Sequence, residues 1–257
     1  MAGNDGLKSG SSEPLGNADY QWSQFDPEAY FLHYYGDPHP DDDRVAQAAA
    51  EALFDCDPKT RELDIIDVGT GPNLIPFLAG ISRARSLTAW EFSPTNIDWL
   101  QQELQRGELR PQWQHFWTAI KGSLAGVPLP DDPALALASK ARIVRGSIFD
   151  LPEREWDAAT MFFCAESITQ QVSEFSDACA KFAKCVRPGG TLAAAFLVQS
   201  HGYDVAGKRF PAINLSPEAI EGVFLKLARQ VRVAKIGLVS EEVRSGYSGA
   251  LFLTAKT

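Results

Sequence analysis

The sequence predicts an α/β fold, a doubly wound and mostly parallel sheet of seven strands whose last strand runs antiparallel. Three observations predict it. Short apolar runs alternate with longer helical patterns. The first run, "LDIIDVGTGPNL", stops at an acid followed by a bare Gly-Thr-Gly-Pro turn. The last two runs are separated by about ten residues, "EEVRSGYSGA", with no helical pattern between them, which reads as a hairpin.

The elements follow in order. Residues 1–20 are rich in Gly, Ser and Asn and are expected to be a disordered tail before a single domain over 21–257. Helices are expected over Asp41–Phe54, Asn73–Ile81, Pro94–Arg106, Gln170–Val186 and Ser216–Arg229. Several open on a capping residue and a proline, as in "SPTN" and "SPEAIE". Strands are expected over Leu63–Gly69, Ser86–Phe92, Arg142–Ile148, Asp157–Cys164 and Thr191–Val198, with Val231–Val239 and Ala250–Lys256 closing the chain. Residues 107–140 form an insertion, aromatic and partly helical in "PQWQHFWTAIKG", then a loop at "VPLPDDP".

Composition narrows the function. The chain has 257 residues, ample for a large core, with 45% hydrophobic and 22% charged residues. A net charge of -9 without a basic cluster argues against a nucleic-acid partner. No apolar run reaches the length needed to span a membrane, and no apolar export segment opens the chain, so a cytoplasmic protein is expected. The four cysteines form no CxxC pair and read as reduced thiols. The four histidines are scattered and suggest no metal site.

In such a sheet, ligands lie beyond the C-terminal ends of the strands. Gly69 and Gly71 fall there and let the backbone approach a ligand. Glu91 ends the second strand about 20 residues on, where a carboxylate can accept both hydroxyls of a ribose. A dinucleotide would need a third glycine, but Leu74 stands at that position, and Pro72 removes an amide from any phosphate cradle. S-adenosylmethionine (SAM) has no phosphate and fits better, which makes S-adenosylhomocysteine (SAH) the expected product.

Several ordered motifs carry a resemblance. "IDVGTGPNL" looks like the first motif of class I SAM-dependent methyltransferases, which have a Rossmann-like fold. "FDPEAYFLHYYGD", "WEFSPTNIDWLQQEL", "FFCAESITQQVSEF" and "VRPGGTLAAAFLVQSHGYDVAGKRFPAINLSPEAIE" are similar, in order and spacing, to segments of one small-molecule family. That family comprises the nicotinamide, phenylethanolamine and indolethylamine (thioether) N-methyltransferases. The resemblance implies an N-terminal helical lid over 21–60, with Tyr30, Tyr34 and Tyr35 closing over the cofactor. Aromatic faces there would favour a sulfonium cation. It implies that Asp67, Gly69, Thr70 and Gly71 contact the methionine end and sugar edge, and that Glu91, Phe92 and Asn96 hold ribose and adenine. Ser147, beside Ile148, stands where the family carries an Asp next to adenine, and Asp150 is a candidate substitute.

Methyl transfer from a sulfonium is an in-line displacement that needs alignment and an uncharged nucleophile. The resemblance makes Glu166 the candidate catalytic acid-base group, since the phenylethanolamine branch has an acid there that contacts the substrate amine. Ser200 and Tyr203 occupy family-like substrate positions. Phe196 replaces an Asp of the nicotinamide branch, and Gly246, next to Tyr247, replaces one of the phenylethanolamine branch. Phe162, Phe163, Phe196, His115, Trp117 and Tyr247 would then form an aromatic acceptor pocket, although alternation along a strand makes one of Phe162 and Phe163 ordinary core. The expected function is N-methylation of a small aromatic or heteroaromatic molecule by a monomer or weak dimer. The alternatives are O- or C-methyl transfer in a biosynthetic pathway, a NAD-dependent oxidoreductase, and a non-catalytic module that binds SAH and a partner.

Overall fold

The computed structural model describes residues 14–37, 39–56, 61–237 and 248–257. Its main sheet has seven strands. They are β1 (Leu63–Val68), β2 (Ala84–Glu91), β3 (Ala141–Arg145), β4 (Trp156–Phe162), β5 (Val186–Leu197), β8 (Arg229–Ile236) and β9 (Ala250–Lys256). Their spatial order is β3-β2-β1-β4-β5-β9-β8. β1 pairs in parallel with β2 on one side and β4 on the other, so the order reverses there and opens a crevice at the strand ends. β9 inserts antiparallel between β5 and β8, from Thr191↔Lys256 to Leu197↔Ala250 on one side. That is the expected hairpin pairing. The end expected at Val239 lies outside the described residues.

Side chains alternate across β1 and build two layers. Leu63 and Ile65 join the core beneath α1 (Pro27–Tyr35), α2 (Pro40–Phe54), α3 (Ile75–Gly80) and α5 (Pro111–Ser123). Ile66 and Val68 face the core of α7 (Val172–Lys184) and α8 (Pro217–Leu227). Strands buried on both faces read as continuous apolar runs, which is why the sequence marks them clearly.

Among the described residues of the segment expected to be a lid, the turn before α1, α1 itself and Asp42 on the first turn of α2 line the crevice at the strand ends. α2 buries Val45, Ala46, Ala49, Ala50 and Leu53 and is part of a core layer. α1 starts at Asp26, whose side chain accepts from the Ala29 amide. Glu28 on α1 receives two bonds from Arg110 (2.6 and 3.0 Å) and one from Trp99 Nε1 (2.7 Å). The guanidinium of Arg110 also lies 4.6 Å from the centre of the Phe31 ring. The insertion thereby anchors α1 to α4 (Pro94–Leu104).

Three local differences stand out. The insertion contains a second helix, α6 (Pro133–Lys140), capped by Asp132 onto Leu135 N. A hairpin absent from the sequence reading, β6 (Tyr203–Val205) with β7 (Lys208–Phe210), turns through Ala206 (φ 48°) and Gly207 (φ 76°). Positive φ at both central residues gives the twist a two-residue hairpin needs. Residues 14–20, expected as part of the tail, run along the N-terminus of α7. There Asn17 N donates to Glu174 Oε2 (2.7 Å) and Gln170 N to the Leu15 carbonyl (3.0 Å). Among the described residues, no helix is long and apolar enough to cross a membrane.

Candidate active site

A cleft of about 1300 Å³, solvent at its mouth included, opens at the C-terminal ends of β1, β2, β4 and β5. The Gly-Thr-Gly turn forms its floor. Gly69 (φ 66°) and Gly71 (φ 57°) are both left-handed, a conformation that disfavours side chains. A Cβ on Gly69 would also stand 2.1 Å from Cys164 Sγ at the end of β4.

Glu91 ends β2 beside this turn and is buried. Its Oε2 accepts from Gly71 N (2.7 Å) and its Oε1 from Ser93 N (2.7 Å). Burial raises its pKa, and those amides oppose the rise. Asn96, on the first turn of α4, also lines the cleft, and its buried Oδ1 has no partner. Two acceptors, one of them orphaned, suit a ligand rich in hydroxyl or amino donors. The opposite wall follows β3, where Trp90 Nε1 donates to the Ser147 carbonyl (2.9 Å). The Ser147 hydroxyl accepts from Phe149 N (3.3 Å), so it serves partly as a cap.

The same turn offers little to a pyrophosphate. Gly71 N is held by Glu91, Pro72 has no N–H, and Ile75 N is taken by Asn73 Oδ1 (2.8 Å). The donor set fits an adenosine-type ligand without phosphates better than a dinucleotide.

Aromatic rings close the cleft above. Tyr30 and Tyr34 lie 4.5 Å apart between centroids, Tyr30 and Phe25 5.4 Å, and Tyr30 and Tyr203 6.1 Å. Trp22 also lines the space and packs on Phe210 at 5.5 Å.

Fifteen of the expected site residues meet here: Tyr30, Tyr34, Tyr35, Gly69, Thr70, Gly71, Glu91, Phe92, Asn96, Ser147, Ile148, Phe162, Phe163, Ser200 and Tyr203. Both Phe162 and Phe163 line the cleft, because Phe163 leaves the strand at φ 54° and alternation ends there. Others must be corrected. Asp67 lies under the turn rather than on the cleft surface. It is buried and accepts from Thr160 Oγ1 (2.6 Å), and burial pushes its pKa up to about 7. Phe196 points to the opposite face of the sheet and packs on Phe175 and Phe224, while the next residue, Leu197, reaches the cleft. Glu166 is fully buried behind the wall and does not line the cleft, so it is not placed to meet an acceptor.

His115 is exposed and bonds Asp43 (2.7 Å), Trp117 belongs to the core, and Asp150 is exposed outside the cleft. Tyr247 and Gly246 lie outside the described residues. The structure adds Asn17, Trp22, Phe25 and Asp42 to the lining. Asp42 was hidden in the sequence because three consecutive acids at a helix start already have a reason, the helix dipole.

Comparison with known proteins agrees with this geometry. The family model described as "NNMT/PNMT/TEMT family" matches residues 139–256. Human phenylethanolamine N-methyltransferase is 22% identical over 247 residues, covering 88% of this chain and 85% of that protein. Mouse indolethylamine N-methyltransferase is 21% identical over 204 residues, covering 75% and 76%. Among solved structures, a complex titled "DhpI-SAM-HEP complex" aligns with a TM-score of 0.58 at 16% identity, covering 96% of this chain and all of that one, a likeness of fold. Over residues 139–256 the chain is thus similar to the NNMT/PNMT/TEMT family, and its sheet order is that of the fold shared with the solved structures.

Proposed function

We propose that this chain is a SAM-dependent methyltransferase acting on a small, flat aromatic or heteroaromatic molecule, with nitrogen as the acceptor atom. One observation carries the reading. The left-handed Gly69–Gly71 turn, the acceptor pair Glu91 and Asn96, and a ring of aromatic side chains share one cleft. The relatives, which are named as N-methyltransferases of small molecules, support the choice of nitrogen.

When bound, SAM supplies an electrophilic methyl group on a sulfonium. Glu91 and Asn96 would hold the ribose and adenine edge, and the Gly69–Gly71 backbone would let the ligand approach closely. Phe92, Ser147 and Ile148 would flank the adenine. Tyr30 and Tyr34 would offer ring faces to the positive charge. Phe162, Phe163 and Tyr203 would orient the acceptor and exclude water, and alignment of this kind can supply about 7 kcal/mol or more. A pyridine or aniline nitrogen attacks as the neutral species and needs no base. An alkyl ammonium must first lose a proton, and Asp42 and Glu91 are the carboxylates that line the cleft, with Asp42 on the side of α2.

The test is direct binding followed by turnover. Titration with SAH should give saturable heat, and NADH should give none. Label should then pass from methyl-labelled SAM to ring nitrogens or amines. Binding of NADH without SAH would revive the oxidoreductase alternative. Labelling confined to phenols or ring carbons would keep the cofactor site and replace the acceptor reading.

A further inference from the structure

Glu166 is buried next to the cleft lining without being part of it. It lies in the single 3-10 turn Ala165–Ser167 that follows β4. The side chain is fully buried, with Oε1 accepting from Leu197 N at 2.8 Å. Its backbone carbonyl accepts from Ile213 N, also at 2.8 Å. Oε2 is buried with no partner. One residue therefore joins three segments: the turn after β4, the end of β5 and the stretch before α8.

Two of those segments form the cleft wall. Cys164 and Ser167 flank Glu166 on its own turn and line the cleft. Leu197, whose amide Glu166 holds, lines it too, as do Ser200 and Tyr203 just beyond. The Tyr203 hydroxyl returns to the Ser167 carbonyl at 3.4 Å, a second and weaker tie between the same segments. Glu166 lies close enough to Cys164 on its own turn, Cys179 on α7 and Tyr203 on β6 to help push their pKa values up. None is a cation. Burial pushes the Glu166 pKa up to about 8, with the Leu197 amide opposing, so the neutral acid prevails at neutral pH. A neutral carboxyl keeps a carbonyl oxygen for Leu197 N and avoids a buried unpaired charge.

We propose that Glu166 is a positioning residue of the acceptor wall. It sets the separation of the Cys164–Ser167 and Leu197–Tyr203 segments from behind and does not touch the acceptor. This rests on the methyltransferase reading, and the experiment separates the two. The full-length chain is compared with Glu166→Gln, Glu166→Ala and Glu166→Asp. SAH affinity is measured by calorimetry, steady-state constants with an acceptor found active, and Leu197 amide exchange by hydrogen–deuterium exchange.

Glu166→Gln retains a carbonyl oxygen for Leu197 N, so kcat and acceptor KM should stay within about threefold of wild type. Glu166→Ala leaves that amide buried and unpaired, so acceptor KM should rise about tenfold or more with SAH affinity unchanged. Exchange at Leu197 should speed up in Glu166→Ala and stay protected in Glu166→Gln. Glu166→Asp is one methylene short and should fall between them, which keeps the test alive if the alanine variant does not fold. A loss of about 100-fold in kcat for Glu166→Gln at unchanged KM would overturn the proposal in favour of direct acid-base chemistry. Unchanged KM and exchange in the folded alanine or aspartate variant would overturn it as well. Failure of wild type to bind SAH would instead refute the methyltransferase reading, while the exchange measurement still tests Glu166 as a tie.

Discussion

Replacing Glu91 with alanine removes the group that organises the glycine turn at the floor of the cleft. In the free protein both carboxylate oxygens are committed, to Gly71 N and Ser93 N at 2.7 Å each. The carboxylate therefore fixes the glycine turn, and under the proposed function its remaining lone pairs would accept from a ribose. Hydrogen bonds to a charged group contribute about 1.5–3 kcal/mol each. Losing one such bond to the ligand corresponds to roughly 10- to 150-fold in affinity. The two amides would also be left without their partner, at a cost to stability of about 1–3 kcal/mol for each one kept from water. Calorimetric titration of SAH into Glu91→Ala should show affinity weakened at least about tenfold. Denaturation with urea should show a smaller folding free energy. Glu91→Gln keeps one carbonyl oxygen, so it should fold nearly as well and still bind weakly. A folded Glu91→Ala protein that binds SAH within twofold of wild type would refute the ribose assignment.

Four further outcomes are expected. Gly69→Ala must adopt φ near 66° with its Cβ against Cys164 Sγ, so it should lose about 1–2 kcal/mol of stability in urea melts and weaken SAH binding; unchanged values would contradict the close-approach argument. Tyr35 is packed on Trp113 and Phe116, at 5.6 and 6.1 Å, so Tyr35→Ala should cost about 3 kcal/mol or more of stability, while Tyr35→Phe should spare the fold and report only on the hydroxyl. Asp42→Asn should raise KM for alkyl amines about tenfold and leave pyridines and anilines unaffected, and a parallel change for all acceptors would remove Asp42 from proton handling.

The fourth concerns pH. The folded-state pKa of Glu166 is raised from 4.5 to about 8 and that of Asp67 from 3.8 to about 7. Between those limits the folded state binds more protons than the unfolded state, so each group makes stability fall as pH rises, by up to about 1.4 kcal/mol per pH unit. The loss from Glu166 is complete above about pH 8. Glu166→Gln removes that slope, so its melting temperature relative to wild type should climb between pH 5 and pH 8. Parallel curves would contradict a buried neutral carboxyl.

Much of the fold is legible because buried parallel strands and proline-capped helices leave strong local patterns. β1 is a run of apolar residues ending at an acid, and α8 opens on Ser216-Pro217. α6 carries the same kind of cap in Asp132-Pro133, but that pair closes the proline-rich stretch "VPLPDDP", which reads as loop. The β6–β7 hairpin turns on Ala206-Gly207, a weaker signal than Asn-Gly, and its strands have three residues each. The glycine-turn side of the cleft is legible because its backbone runs at positive φ at Gly69 and Gly71 and an acid ends the next strand at Glu91.

The acceptor half was not, because its composition depends on which way single side chains turn. Phe196 and Leu197 exchange roles through the parity of β5. Glu166 faces inward because its 3-10 turn carries the side chain to the Leu197 amide. Asn17 reaches the cleft from a segment whose composition gives no structural signal; its amide and side chain are fixed by partners more than 150 positions away, Glu174 and Ile168, and its carbonyl and Ser93 hold Trp22.

The measurement that tests the central claim most directly is transfer of a labelled methyl group from SAM. The purified chain would meet a panel of arylalkylamines, indoles, pyridines, anilines and phenols, with products resolved by mass. Labelled nitrogen is expected in at least one class, with turnover abolished or sharply reduced in Glu91→Ala. Absence of transfer to any acceptor, from a protein that binds SAH normally, would contradict it and leave a cofactor-binding module.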